Sequence, residues 1–217
     1  MVESRNLRIM RIVAISDTHN REVELPEGDL LIVAGDLTAT GGPRELENFN
    51  RYLERQSVKF GHDPLVIAGN HDFAFEDAPT EARRLLSAAV YLEDELVEID
   101  GKLIYGSPWT PEFKRWAFMK ERGPEIRQAW KKIPDGLDVL VTHGPPHGIL
   151  DYCGVNAGCE ELLETLTKRL ARPPRFHVFG HIHEGYGQEQ GERTVFLNVS
   201  ICNRAYNPIN APTVFEI

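Results

Sequence analysis

The chain has 217 residues and a net charge of −9 at pH 7, with 41% hydrophobic and 26% charged residues. This composition is typical of an ordinary soluble globular protein, and the acidic balance argues against broad binding to nucleic acids or membrane surfaces. The length suits one domain, so we expect a single domain over residues 1–217.

Five short apolar segments rich in β-branched residues predict strands that are buried on both faces. In chain order they are Ile9 to Ile15, Leu30 to Ala34, Leu65 to Ala68, Val139 to Thr142 and Phe176 to Phe179.

Two segments between these strands predict helices. Residues 41–56 place Leu46, Phe49 and Leu53 on one face, and Pro43 suits a first helical turn. Residues 158–174 place acidic residues near the start of a helix and basic residues near its end, before Pro173 stops it. The apolar face of this second helix consists of Cys159, Leu162, Leu163, Leu166 and Leu170.

Two further regions predict antiparallel pairs of strands. Residues 89–109 contain the turn signal Asp100-Gly101, and residues 184–200 contain a turn with glycine. Together with the buried strands, these pairs indicate an α/β sandwich with mixed sheets.

The three cysteines, Cys153, Cys159 and Cys202, are odd in number and show no C-x-x-C spacing. We therefore expect a reduced chain in the cytoplasm.

The first 17 residues contain no long apolar segment, so we expect no signal peptide. No apolar segment approaches the ~20 residues that a membrane span needs, so we expect no membrane association.

Polar residues follow every predicted buried strand. Because ligands bind at the carboxyl ends of strands in open α/β sheets, we expect these side chains to converge on one site. The set consists of Asp17, His19, Asp36, Asn70, His71, Asp72, His143, His181 and His183.

Imidazole and carboxylate groups together suit zinc, iron or manganese, whereas carboxylate with water favours manganese or magnesium. The set contains no cysteine, which argues against a structural zinc site. It has more ligands than one tetrahedral ion uses, so we expect two ions that share Asp36, the lone carboxylate on its loop. Two ions ~3.5–4 Å apart promote in-line displacement at phosphorus.

The order D-x-H, G-D, G-N-H-D, H and G-H-x-H from Asp17 to His183 resembles the calcineurin-like metallophosphoesterases. The resemblance implies a four-layer α-β-β-α fold and two divalent or trivalent metal ions per chain. Manganese is our first choice, with iron, zinc, magnesium and cobalt as alternatives. By the same resemblance, one ion binds Asp17, His19, Asp36 and His183, and the other binds Asp36, Asn70, His143 and His181.

Stretches after Gly106, such as "GSPWTPEF", "THGPPHGILD" and "NVSICNRAYNP", resemble the metallophosphoesterase-domain (MPPED) proteins and their bacterial relatives. That group is similar to the class III cyclic-nucleotide phosphodiesterases. The resemblance implies a phosphodiesterase that acts on small phosphate esters such as cyclic nucleotides. The expected chemistry is in-line attack by a hydroxide that bridges two metal ions.

Other polar residues have expected roles outside the ligand set. We expect His71 to assist the leaving group as a catalytic residue, with Asp72 orienting its ring; a turn or helix cap is the alternative for Asp72. His147, Asn203 and Arg204 are candidate substrate contacts, or ordinary loop residues.

Trp109 and Trp116 could wall a pocket for an aromatic group, or pack in the core.

Three alternative functions stay open, namely a phosphoprotein phosphatase, a nuclease and a metal-binding scaffold without turnover. The chain shows no long basic groove, so we expect no stable complex with nucleic acid. The oligomeric state is open.

Overall fold

The structure is a computed structural model that describes residues 9–217. The first eight residues, on which the expected absence of a signal peptide partly depends, lie outside the described residues. Within the described part of the chain, every helix is too short or too polar to cross a membrane. The expectation of one domain over residues 1–217 stays a prediction.

The secondary structure alternates strands and helices. The strands over residues 9–217 are β1 (Arg11–Ile15), β2 (Leu30–Ala34), β3 (Leu65–Ile67), β4 (Val90–Tyr91), β5 (Glu95–Ile99), β6 (Lys102–Ser107), β7 (Thr110–Pro111), β8 (Met119–Lys120), β9 (Val139–Thr142), β10 (Phe176–Phe179), β11 (Gly187–Gln190), β12 (Val195–Asn198) and β13 (Thr213–Glu216). The α-helices over the same residues are α1 (Pro43–Gln56), α2 (Phe73–Asp77), α3 (Pro79–Leu85), α4 (Pro124–Trp130) and α5 (Glu160–Glu164). Shorter 3₁₀ turns span Ser57–Lys59 and His183–Gly185, and a π-helical segment spans Thr165–Arg169.

Two large sheets contain most of these strands. The first has the order β13-β1-β2-β3-β4, with β13 antiparallel to β1 and the other neighbours parallel. The second has the order β11-β12-β10-β9-β6-β5, with antiparallel edge pairs and a parallel centre. Strands β7 and β8 form a small parallel pair.

Three apolar clusters separate four layers of structure. Between the sheets, alternate residues such as Ile12 and Ile32 of the first sheet meet Val141 and Val178 of the second. The opposite face of the first sheet packs against α1 and α3. The outer face of the second sheet packs against α4 and α5, where Trp130 is fully buried. The layers therefore run α-β-β-α, which confirms the predicted fold class.

The predicted strands and hairpins are confirmed, since β1, β2, β3, β9 and β10 fall on the five apolar segments. The helix predicted within residues 158–174, ending before Pro173, is confirmed, but its second half departs from α-helical geometry. There the backbone widens into the π-helical segment, which ends before Leu170. The hydroxyls of Thr165 and Thr167 donate to the carbonyls of Glu161 and Leu163, four residues earlier. Such back-bonding perturbs a regular α-helix.

Candidate metal centre

The predicted polar residues meet at the carboxyl ends of strands from both sheets. Strands β1, β2 and β3 end at the loops of Asp17, Asp36 and Asn70, and β9 and β10 end at those of His143 and His181. A backbone bridge between Ser16 and Ser200 joins the two sheets at this edge.

Several of these residues have left-handed backbone conformations. The φ angles are 53° at Asp17, 43° at His19, 53° at Asp36 and 66° at His181. Non-glycine residues adopt this region only at a cost of about 1–3 kcal/mol, and such residues cluster at functional sites. Each of these residues turns the chain sharply at or just after the end of its strand.

Asp17, His19 and His183 form the first group of potential metal ligands, with one donor atom from each within 4.8 Å of the others. His183 Nε2 lies 3.3 Å from Asp17 Oδ1. Asp17 is fully buried, and its Oδ2 accepts a hydrogen bond of 2.8 Å from the Ser200 hydroxyl.

The orientation of two histidine rings in this group fits a bound cation. His19 Nδ1 and His183 Nδ1 lie 3.3 Å and 2.9 Å from the carbonyl oxygens of Thr38 and Asn203. Because a carbonyl oxygen only accepts hydrogen bonds, each Nδ1 holds the hydrogen, and Nε2 of a neutral ring presents a lone pair. The two Nε2 atoms lie 3.3 Å apart. Two facing lone pairs repel each other unless a proton or a metal ion lies between them.

A second group consists of Asp36, Asn70 and His143. His143 Nδ1 lies 2.9 Å from the carbonyl oxygen of Ala34, so Nε2 again faces inward. That Nε2 lies 3.0 Å from Asn70 Oδ1 and 3.4 Å from Asp36 Oδ1. A protonated His143 ring donates from Nε2 to these oxygens, whereas a neutral ring leaves three electron-rich atoms facing one another, as they would around a cation.

Asp36 connects the two groups through its two carboxylate oxygens. Oδ1 faces His143, whereas Oδ2 lies 3.6 Å from Nε2 of His19. The Asp36 carboxylate is 2% exposed, and the backbone nitrogen of His71 donates to Oδ1 at 2.8 Å. The donor set and its geometry fit two ions that share this carboxylate.

The pKa shifts of the clustered residues also indicate that this site favours positive charge. Burial alone would raise the pKa of Asp17, but its hydrogen bond and charge interaction with His183 outweigh burial and hold the pKa well below its usual range. His143 likewise outweighs burial at Asp36 and lowers that pKa. The two histidines respond in the opposite sense, since their carboxylate partners overcome burial and raise the pKa of His143 and of His183 to about 9. In the metal-free chain, protons supply the charge that metal ions would supply on binding.

His181 stands beside the second group. Its ring centroid lies 5.0 Å from that of His143, and its backbone nitrogen donates to Asp17 Oδ2 at 2.9 Å. Burial, together with the charge of His143, lowers the pKa of His181 to about 4, so this ring is neutral and has a free lone pair. A neutral imidazole is the form that binds a metal.

Two glycines allow the loops to approach the carboxylates. A Cβ atom at Gly69 would lie 2.2 Å from Asp36 Oδ1, and one at Gly180 would lie 2.1 Å from Asp17 Oδ2. The glycine of G-N-H-D and that of G-H-x-H are therefore required by close packing against the two buried carboxylates.

His71 lies at the edge of the cluster. Its Nδ1 donates to the carbonyl oxygen of Ala39 at 2.7 Å, and its Nε2 lies 4.0 Å from Asp36 Oδ2. Its donor atom belongs to a third possible ligand group with His19 and Asp36.

The expectation that Asp72 orients the His71 ring is wrong, because the Ala39 carbonyl holds that ring. Asp72 is buried and faces the other way. Its Oδ1 accepts from the backbone nitrogen and hydroxyl of Thr38 at 3.0 Å and 2.7 Å. Its Oδ2 accepts from the backbone nitrogens of Leu37 and Gly69 at 3.1 Å and 2.8 Å. Asp72 thus ties together the loops after β2 and β3, while burial and the charge of Asp36 raise its pKa to about 6.

The structure separates the three candidate substrate contacts. Asn203 lies beside the first ligand group, where its carbonyl accepts a hydrogen bond from His183 Nδ1. Arg204 projects into solvent, 86% exposed, with Nε 3.9 Å from a Glu184 oxygen. His147 lies near the carboxylates of Asp151 and Glu160, at 3.9 Å and 3.7 Å, rather than among the metal-ligand groups.

Three residues at the site were not predicted from the sequence as functional residues. They are Thr38, Ser200 and Tyr206, of which the last places its ring centroid 4.7 Å from that of His19. Ser200 and Tyr206 belong to the stretch "NVSICNRAYNP", so that resemblance was the available signal. Trp116 stacks near His71, with ring centroids 4.3 Å apart, whereas Trp109 is partly buried against the core and donates to Asp94.

Comparison with known proteins gives a consistent result. The family model of the calcineurin-like phosphoesterases matches residues 10–185. Human "Metallophosphoesterase domain-containing protein 1" is 39% identical over 235 residues, which cover 95% of this chain and 71% of the human protein. A "Probable cyclic nucleotide phosphodiesterase" of Synechococcus is 26% identical over 176 residues, covering 78% of this chain and 63% of that protein. A crystal structure from Thermus thermophilus shares the fold, with a TM-score of 0.59 and 14% identity over 96% of this chain and 98% of the other.

Proposed function

Because the chain belongs to the calcineurin-like phosphoesterase family and is a metal-dependent phosphoesterase, we propose that it is a phosphodiesterase for small substrates such as cyclic nucleotides. The proposed cofactor is a pair of divalent ions, with manganese as the first choice. The substrate class is supported by the similar Synechococcus protein, whose name contains cyclic nucleotide phosphodiesterase. A reducing, cytoplasmic location is supported by three free thiols.

The observation that carries the proposal is the convergence of ring nitrogens and side-chain oxygens within each of the two ligand groups. We assign Asp17, His19, Asp36 and His183 to one ion. We assign Asp36, Asn70, His143 and His181 to the other. The two oxygens of Asp36 face different groups, which supports its role as the shared ligand.

Two bound divalent ions supply an activated water near neutral pH and neutralise charge on the phosphoryl oxygens. The residues of the chain fix where this happens. Backbone carbonyls orient the rings of His19, His143 and His183, which keeps each Nε2 directed inward. Such outer partners hold ligands in the correct tautomer and orientation.

Asn70 is a neutral oxygen ligand in this assignment. It adds no negative charge where an anionic phosphate must approach. The two carboxylates, Asp17 and Asp36, already place two negative charges in a buried site. A third carboxylate at position 70 would repel the substrate more strongly in this low-dielectric environment.

His71 is the proposed proton donor to the leaving oxygen. Its Nδ1 hydrogen is committed to the Ala39 carbonyl, so Nε2 is the atom that holds and transfers the proton. The ring is partly exposed beside Asp36, where a substrate on the ions would pass. General acid groups of this kind contribute about 10²–10⁴-fold to rate.

Hydrolysis of bis-p-nitrophenyl phosphate by manganese-loaded protein tests the proposal, with metal content measured in parallel. We expect turnover by the natural chain and retention of both ions but loss of turnover in His71→Ala. His62→Ala is the matched control, since His62 lies on an exposed loop beside Asp100. Full activity of His71→Ala would refute the role of His71. A natural chain that binds two ions and hydrolyses no ester would instead favour a binding scaffold.

A chain that prefers phosphopeptides or polynucleotides to small diesters would point to the phosphatase or nuclease alternative. A screen of 2′,3′- and 3′,5′-cyclic nucleotides against simple monoesters and diesters separates these outcomes.

A further inference from the structure

Tyr206 makes T-shaped ring contacts with three histidines of the candidate metal centre, at interplanar angles of 88° to His19, 89° to His183 and 68° to His71. Its ring centroid lies 4.7 Å from that of His19, 5.6 Å from that of His183 and 6.2 Å from that of His71. The residue is nevertheless 43% exposed. Part of the ring therefore covers the histidines, and part is open to solvent at the border of the site.

The loop that presents Tyr206 is organised by Asn203. The Asn203 side-chain oxygen accepts from the backbone nitrogens of Ala205 and Asn207 at 2.9 Å and 3.1 Å. The Tyr206 nitrogen donates to the Asn203 carbonyl at 2.8 Å, and the same carbonyl accepts from His183 Nδ1 at 2.9 Å. One residue thus positions both a proposed metal ligand and the aromatic ring above it.

The backbone at Tyr206 is held in an uncommon conformation, with a φ angle of 58°. A bulky residue adopts this left-handed region only where its surroundings enforce it. Here the hydrogen bonds around Asn203 close the turn and direct the ring back over the site. The position of the ring is consequently built into the loop.

Trp116 is a second aromatic side chain at the border of the site, beside His71. The Trp116 ring lies 4.3 Å from that of His71 at an interplanar angle of 34°. The backbone nitrogen of Ala117 donates to the Asn70 carbonyl at 3.1 Å, which fixes this loop to the metal centre. A ligand that approaches His71 would therefore meet an aromatic ring as well as charged groups.

A partly exposed aromatic ring beside an anion site suits one class of ligand, a phosphate ester that bears a flat aromatic base. Every nucleobase has a π-face, and stacking of a base on an aromatic residue tolerates differences in base identity. An inorganic or alkyl phosphate would use the metal centre without covering the ring.

We propose that Tyr206 is a base-binding residue, whose open ring face stacks on the nucleobase of a nucleotide whose phosphate lies at the metal centre. This inference rests on the proposed function for the phosphate position, and it names the nucleotide as the substrate class. The contact is made by the ring face rather than by the hydroxyl.

Calorimetric titration of manganese-loaded protein with adenosine 5′-monophosphate and with ribose 5-phosphate tests the inference. The two probes share the ribose phosphate, and only the nucleotide carries a base. We expect the natural chain to bind the nucleotide about tenfold more tightly, as stacking on one aromatic residue provides. Tyr206→Leu should remove this preference and leave the affinity for ribose 5-phosphate within about twofold of the natural value. Tyr206→Phe, which keeps the ring, should retain the preference.

Three results with the natural chain and Tyr206→Leu would overturn the inference. They are equal affinity of the natural chain for both probes, an undiminished preference in Tyr206→Leu, and an equal loss of both affinities in that variant. Loss of the preference in Tyr206→Phe would also contradict it, because it would assign the contact to the hydroxyl. The readout is binding rather than turnover, so a chain that prefers the nucleotide but hydrolyses no ester refutes the proposed function alone.

Discussion

Gly180→Ala is expected to damage the metal centre while leaving the fold intact. A methyl group at this position would lie 2.1 Å from Oδ2 of Asp17 and 2.2 Å from Oγ of Ser16. Ordinary contact begins at 3.4 Å, so the carboxylate and the Gly180 backbone must separate by about 1.3 Å. Ser16 cannot yield freely, because its hydroxyl bonds to the carbonyl of Ala34 at 2.9 Å.

A separation of this size exceeds what a metal site tolerates, since ligand distances must stay within about 0.2 Å of their preferred values. Misplacement of a reacting group by about 1 Å costs about 100-fold in rate. We therefore expect kcat/KM for bis-p-nitrophenyl phosphate to fall about 100-fold, with weaker metal binding. Overpacking should lower the free energy of unfolding by about 1–3 kcal/mol, which leaves the chain folded.

The assay compares metal affinity, initial rates and urea unfolding for the natural chain and two variants. Gly61→Ala is the matched control, because its methyl group would meet a single neighbour, the Asp29 carbonyl oxygen, at 3.6 Å. That control should match the natural chain in metal affinity and rate. If Gly180→Ala kept its metal affinity and a rate within about twofold of the natural chain, the argument from close packing on Asp17 would be refuted.

Three further outcomes are expected. Ser200→Ala removes the hydroxyl that donates to Asp17 at 2.8 Å, so metal affinity measured by calorimetry should fall about 10–100-fold, and an unchanged affinity would contradict this role. Trp130→Ala empties a fully buried site between α4 and the second sheet, so the free energy of unfolding in urea should fall by about 3–5 kcal/mol. The control Val58→Ala, at a residue that is 85% exposed, should lower it by less than about 0.5 kcal/mol. Chelation of the metal ions should abolish hydrolysis and lower the Tm, and both should return on addition of manganese; a Tm that does not respond would argue against metal binding by the folded state.

The strands and the meeting of the polar residues at their ends could be predicted because both follow from local pattern. Continuous apolar segments such as Leu30–Ala34 remove all their side chains from water only when both faces of the strand are buried. Parallel strands bring their carboxyl ends together at one edge of the sheet. The hairpin at Asp100-Gly101 was equally local. The helix after Cys159 was predicted only in part, since apolar spacing does not distinguish α-helical from π-helical backbone at Thr165.

The partners of the polar side chains were less accessible to prediction. Asp72 is adjacent to His71 in sequence, yet its carboxylate faces Leu37, Thr38 and Gly69. Adjacent residues on a tight loop point in different directions, and the pattern of residue types does not show which way each one turns.

The chemistry of the site follows from the sequence alone, because aspartate, asparagine and histidine side chains define what a site can bind wherever the chain places them. The tertiary structure decided how those groups are held. The rings of His143, His71 and His183 are oriented by the carbonyls of residues that are 109, 32 and 20 positions away. Every residue has a carbonyl group, so no residue type marks these acceptors in advance. Tyr206 likewise reaches His19 only because the two sheets pack with their strand ends together, which brings distant loops to one edge of the fold.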